Sequence, residues 1–159
     1  MLSIFLSPIF ALSLLLSGYT PTLPAFSAPL TPKVGTASIM VRVTDLRKNS
    51  GKLLIALYDG TTPFLSEKSL PPGFVADIKN GKAEKLITNL PAGEYAISVM
   101  HDENGNSHMD YNALGIPVEG YGLSNNVRIY FSKPAYKPCT FMIKEGQTKT
   151  MDITMRYLL

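Results

Sequence analysis

Glu94-Tyr-Ala-Ile-Ser-Val-Met100 alternates along its whole length. Tyr95, Ile97 and Val99 fall on one side, and Glu94, Ala96 and Ser98 on the other. A period of two is the signature of a strand with one face turned to a core. Pro91 and Gly93, just upstream, both discourage a helix and make a tight entry into the strand.

The same pattern recurs in both directions. Ser38-Ile-Met-Val-Arg-Val-Thr44 places Ile39, Val41 and Val43 on one face, and Asn49-Ser-Gly51 turns the chain. Lys52-Leu-Leu-Ile-Ala-Leu-Tyr58 is almost wholly apolar, which predicts a central strand covered on both sides; Leu54 and Ala56 are assigned to the core face. Thr62 before Pro63 could cap one short helical turn through Glu67. Asn80-Gly81 separates Phe74–Ile78 from Ala83–Leu90 in the manner of a hairpin. Downstream, residues 127–131, 140–144 and 148–157 are three more strand candidates, the last with Met151, Ile153 and Met155 on one face. No helix of three turns is found. Short strands with turn signals between them predict an all-β, antiparallel Greek-key β-sandwich.

The N-terminus reads differently. Residues 1–32 hold no Asp, Glu, Lys or Arg, and Ile4–Leu16 is mostly apolar. That run is too short to span a bilayer, which needs roughly 20 apolar residues, but it has the length of a signal-peptide core. Cleavage after Ser27 would leave Ala25 and Ser27 at the two small-residue positions. The expected organisation is therefore a signal peptide over 1–27, a Pro-rich flexible leader over 28–36 and a single β-sandwich domain over 37–159. The destination is periplasmic or secreted, with no transmembrane helix in the mature protein. Removal of 27 residues from 159 leaves 132, enough to bury roughly two-thirds of the unfolded surface without a metal or disulfide. Cys139 is the lone cysteine and reads as a small buried apolar residue. A net charge of +3, without a Lys/Arg cluster interleaved with aromatics, argues against nucleic acid.

Residues 101–126 break the pattern. They contain Asp102, Glu103, Asp110 and Glu119 but no Lys or Arg, a local −4 in a chain of +3, so the remainder carries +7. Asp102, Asn104, Asn106 and Asp110 occupy positions 1, 3, 5 and 9 of a D-x-N-x-N-x-x-x-D run. Hard cations such as Ca²⁺ take several oxygens at short range, and alternate residues of a tight loop can supply them; the His108 carbonyl at position 7 completes the candidate metal set. Ser107 and Ala113 stand where an EF-hand has Gly and Glu, so any Kd should lie on the order of 10⁻⁴–10⁻³ M. The bland alternative is a loop held by its own Asx turns, without an ion. Met100, His101, His108 and Met109 offer a copper reading. Tyr121 among glycines offers a sugar or peptide platform. His101, Asp102 and Ser124 can be written as a triad, without the sequence context that a hydrolase nucleophile needs.

Three stretches carry a family resemblance: Gly51-Lys-Leu-Leu-Ile-Ala-Leu-Tyr-Asp59, Leu90-Pro-Ala-Gly-Glu-Tyr-Ala-Ile-Ser-Val-Met-His-Asp-Glu-Asn-Gly-Asn106 and Leu114-Gly-Ile-Pro-Val-Glu-Gly-Tyr-Gly-Leu-Ser-Asn-Asn126. Over roughly residues 38–157 the chain resembles exported bacterial proteins grouped as domain of unknown function 2141. The resemblance implies a transthyretin-like or carboxypeptidase-regulatory-like sandwich in an envelope setting, with no established activity. That family usually has Gly-Lys where Ser107-His108 stands, which would make a positive φ at Ser107 costlier. The functional expectation is a non-enzymatic envelope module binding an envelope protein or glycan, with Ca²⁺ as the candidate ion; an envelope hydrolase or copper protein using the same loop is the alternative.

Overall fold

The computed structural model describes residues 36–66, 73–130 and 132–158. The expected signal segment and most of the leader lie outside these, as do Glu67 at the end of the expected helical turn and Phe131. The described residues build eight strands: β1 (Ala37–Thr44), β2 (Lys52–Tyr58), β3 (Gly73–Ala76), β4 (Ala83–Leu90), β5 (Gly93–Asp102), β6 (Gly120–Leu123), β7 (Phe141–Ile143) and β8 (Thr148–Thr154). A 3₁₀ turn at Ser124–Asn126 and one helical turn, α1 (Tyr136–Cys139), follow β6. None of the helices among the described residues is long and apolar enough to cross a membrane.

The strands form the two sheets of an all-β sandwich. One runs β4-β1-β8; the other runs β3-β2-β5-β6, with β7 also pairing β5. The pairings are antiparallel except β1 with β8, which run parallel from Ser38↔Thr148 to Thr44↔Thr154. Parallel neighbours need a long connection, and here the rest of the domain supplies it, because β1 and β8 are the first and last strands.

Alternation decides the core. Ile39, Val41, Val43, Tyr95, Ile97, Val99, Met151, Ile153 and Met155 meet between the sheets as their periodicity predicts. A fully buried side chain such as Ile97 contributes roughly 1.5–3 kcal/mol. In β2 the face is the reverse of the expectation: Leu53 and Ile55 enter the main core, whereas Leu54 and Ala56 are only half-buried. Both faces of that strand are apolar because both are covered. Tyr58, Ala96, Leu123 and Cys139 form a second cluster with Ala56, Phe64, Val127, Ile129 and Tyr136. Val127 and Ile129 belong to this covering layer, and residues 127–130 are not a strand, which corrects the expectation for 127–131. Cys139 is fully buried, and burial pushes its thiol pKa up.

Strand β6 lies within the stretch 101–126 that breaks the strand pattern in the sequence. Its glycines answer to distant side chains. A Cβ on Gly120 would collide with the Tyr157 ring, and one on Gly122 would stand 2.6 Å from Ile153 Cγ2 and 2.8 Å from Val99 Cγ2. Backbone can approach this closely only where there is no side chain.

Candidate functional site

Strand β5 ends in two buried polar residues, His101 and Asp102. The Ser50 carbonyl can only accept, so His101 Nε2 carries the proton donated to it at 2.9 Å. Nδ1 forms a hydrogen bond with the Tyr157 hydroxyl at 2.7 Å. That hydroxyl in turn accepts the Arg47 backbone N–H at 3.1 Å. The Arg47 guanidinium lies 4.4 Å from the Tyr157 ring centroid, donates to Glu103 Oε1 at 2.6 Å and to the Val118 carbonyl at 2.9 Å. Lys48 Nζ stands 2.6 Å from Glu103 Oε2. Burial alone would raise the Glu103 carboxyl; hydrogen bonds from Lys48 and Arg47, with their charges, hold it below the usual glutamate range. These contacts clamp both ends of the 103–118 loop to the sandwich.

Within the loop, Asp102 is the hub. Its Oδ1 accepts the N–H groups of Gly105 (2.8 Å) and Asn106 (3.2 Å), and its Oδ2 that of Ser107 (3.0 Å). Asn104 Oδ1 accepts from the Asn106 N–H, and Asn106 Oδ1 from the His108 N–H. Both amide nitrogens converge on Asp110 Oδ2, at 2.6 Å from Asn104 and 3.0 Å from Asn106. The D-x-N-x-N-x-x-x-D spacing therefore does bring Asp102, Asn104, Asn106 and Asp110 together. It does so through Asx turns, with amide nitrogens aimed at Asp110 where a cation would need oxygens. His108 is exposed. Ser107 takes φ +64°, the left-handed conformation that a glycine at this position would adopt without cost.

Glu119 joins these groups although it lies outside the spacing pattern. It is 4% exposed, and its carboxylate accepts the N–H of Glu103 at 3.0 Å and that of Asp110 at 3.4 Å. Burial raises its pKa despite those bonds, and the charges of Asp102 and Asp110 raise it further. Among the described residues no three His, Cys, Asp or Glu side chains are arranged to hold a metal ion between them.

Ser124, Asn125 and Asn126 bond backbone groups of neighbouring segments. Ser124 Oγ accepts the Ile97 N–H at 2.9 Å and gives its proton to the Cys139 carbonyl at 2.6 Å. It bonds β5 at Ile97, between the stretches paired to β7 and to β6. Asn125 Nδ2 donates to the carbonyls of Pro138 and Thr140. Asn126 accepts the Thr154 N–H at 2.8 Å and donates to the Asp152 carbonyl at 3.1 Å, standing in for a strand along β8. Both asparagines hold positive φ, 59° and 54°. With Ser124 on Ile97 and Cys139, and His101 on Tyr157 and Ser50, the triad reading finds no assembled nucleophile and base. A copper site would have to break both His101 bonds. Tyr121 is buried, its hydroxyl within 3.4 Å of Ile129 backbone atoms, so it offers no platform.

The stitched Leu-Ser-Asn-Asn turn and the start of the Asx-turn loop after β5 fall within two of the three stretches that carry the family resemblance. A family model described as uncharacterized protein conserved in bacteria, DUF2141, matches residues 41–151. The chain belongs to this family. The DUF2141 match spans the sandwich from β1 to β8 and includes the whole loop. No curated protein matches the chain. One solved structure, a pilus-presented adhesin (Spy0125, Cpa) in a cysteine-to-alanine mutant form, is similar at 15% identity over 79% of this chain, with a TM-score of 0.23. The matched part is 28% of the adhesin chain.

Proposed function

We propose that this DUF2141 chain is an exported, non-enzymatic β-sandwich module of the cell envelope, periplasmic or secreted, that meets an envelope protein or glycan with its loop end. Ca²⁺ stabilises that end. The observation that carries the ion is the loop geometry that brings Asp102, Asn104, Asn106 and Asp110 together, with the buried Glu119 carboxylate bonded to the Asp110 N–H. A hard cation takes oxygen ligands of this kind. Asn104 and Asn106 would exchange amide nitrogen for oxygen beside Asp110. The uncharged apolar run Ile4–Leu16 and the small residues after it support export.

The test is a thermal melt of the purified protein with Ca²⁺ and with chelator, alongside elemental analysis and intact mass. An ion at ten times its Kd that binds only the folded state adds roughly 1.4 kcal/mol, or about 3–6 °C for a domain of this size. Asp102→Ala with Asp110→Ala should abolish the shift. No shift, together with no calcium in the sample, would leave the Asx-turn loop without an ion. An exported product that retains residues 1–20 would overturn the signal-peptide reading.

A further inference from the structure

Strand β4 leaves one long edge open. Among the described residues it pairs with β1 alone, and the parity of the hydrogen bonds says which of its backbone groups are engaged. The Ser38 N–H bonds the Gln147 carbonyl and the Thr44 carbonyl accepts the Met155 N–H, so even-numbered residues of β1 turn their backbone toward β8. Ile39, Val41 and Val43 therefore face β4, opposite Ile87, Lys85 and Ala83. Successive residues of a strand aim their N–H and C=O groups to opposite sides, so Glu84, Leu86 and Thr88 point theirs away from the sheet. No described residue bonds those backbone groups.

Beside that edge lies an open groove of about 540 Å³ between β3 and β4. Ala76 and Ala83 in its lining are buried, so it presents Val75, Asp77, Lys79, Lys82, Glu84 and Lys85. Glu84 is held by Arg42 at 3.4 Å. That leaves three lysines against Asp77. Lys85 shares the inward face of β4 with Ala83 and Ile87, both core residues. An inward-facing lysine on an edge strand keeps like edges apart. A second β4 laid along this one would bring its own Lys85 to the same face, with no counter-charge.

Together the ladder and the lysines define what the edge accepts. The main chain of an incoming strand must be extended, to exchange hydrogen bonds with Glu84, Leu86 and Thr88. Its inward side chains must be acidic, to meet Lys85 and the Lys79–Lys82 turn. The intervening side chains lie beside Leu86, which is 48% exposed on the outer face. The run from Glu84 to Thr88 is about 17 Å long at the rise of a strand. It stops at Asn89, whose φ of 62° departs from extended backbone.

We propose that β4 takes up an extended acidic peptide of another protein as an added edge strand, its carboxylates facing Lys79, Lys82 and Lys85. This surface goes beyond the loop-end contact and does not involve the ion, so it is tested in chelator. The probe is an end-blocked peptide of alternating glutamate and valine, about six residues long to cover the edge. It is titrated into the isotope-labelled purified protein while backbone amide resonances are followed. The amides of Glu84, Leu86 and Thr88 should shift and gain protection from hydrogen exchange. Those of Lys85 and Ile87, already bonded to β1, should keep the protection they have. A peptide with lysine in place of glutamate should leave the edge unmoved. Leu86→Pro removes an outward donor without taking a bond from β1, a change that edge strands tolerate, and should abolish binding. Lys79→Glu/Lys82→Glu, on the exposed turn, should weaken the glutamate peptide about tenfold and admit the lysine peptide; this variant decides the matter if the proline variant does not fold. The proposal is overturned if the edge amides stay in place at about 5 mM glutamate peptide, enough to populate even a millimolar complex. It is equally overturned if both peptides bind alike, or if the charge-swapped variant binds as the wild type does. Shifts of the same amides that grow with protein concentration alone would assign the edge to a second copy of the chain and overturn it too.

Discussion

The Tyr157 hydroxyl sits 2.7 Å from His101 Nδ1, and Gly120 packs directly beneath the same tyrosine ring. One side chain at the C-terminal end thus fixes a buried imidazole, the entry of β6 and, through Arg47, the clamp on the loop.

Tyr157→Phe keeps the ring and removes the hydroxyl. It removes the hydroxyl that bonds the buried His101 Nδ1 and accepts the Arg47 N–H. An unsatisfied buried group costs about 1–3 kcal/mol, so urea denaturation should show a loss in that range with an unchanged m-value. A change below about 0.5 kcal/mol would mean that water replaces the hydroxyl freely.

The Asn126 side chain holds β8 with two exposed hydrogen bonds, and its backbone stands at φ 54°. Asn126→Gly removes the bonds but tolerates the φ, and should cost about 1–2 kcal/mol. Asn126→Ala adds the left-handed penalty, about 1–2 kcal/mol more. Equal stabilities for the two variants would show that the turn relaxes out of its left-handed conformation.

Ser107 is exposed and strained at φ +64°. Ser107→Gly removes the Cβ conflict and keeps the N–H that Asp102 accepts. The gain is partly offset by the greater freedom of glycine in the unfolded chain, which leaves a net stabilisation of about 0.5–1 kcal/mol, readable in thermal or chemical denaturation. Destabilisation would show that the serine hydroxyl contributes more than its backbone strain costs.

Two glutamates bias stability with pH in opposite directions. The pKa of Glu119 is raised by burial and by Asp102 and Asp110. Its folded form therefore holds a proton more tightly than the unfolded chain, and stability rises as pH falls from above that raised value toward the ordinary one near 4.5. Glu103 is held low by Lys48 and Arg47 against its burial. Its contribution is complete above the ordinary value and is lost as pH falls through the lowered one. Denaturation midpoints across mildly acidic pH should pass through a maximum. Glu119→Gln should flatten the rising side and leave the acid-side loss in place, while Glu103→Gln should do the reverse. A maximum that survives Glu119→Gln unchanged would assign the rise to another group.

The residues that carried their own structural instructions were those whose partners lie close along the chain. The alternation of Ser38–Thr44, Glu94–Met100 and Thr148–Thr154 names strand and inward face together, because a period of two admits only one buried set. The Asp102–Asp110 loop was legible as a place where oxygens and amides gather, because Asx turns reach only a few residues. What the chain could not announce was each choice made by a remote neighbour. Leu53 and Ile55, rather than Leu54 and Ala56, enter the main core because the layer containing Val127, Ile129 and Tyr136 covers the other face. Gly120 and Gly122 lie in a strand because Tyr157, Ile153 and Val99 need the space. Asn126 is a surrogate strand for β8, and Glu119 enters the loop from outside its motif. Arg47 and Glu103, 56 residues apart, meet only because β2 and β5 pair. Local periodicity specifies what a segment prefers to be; close packing between distant segments decides which face, which glycine and which charge must fit.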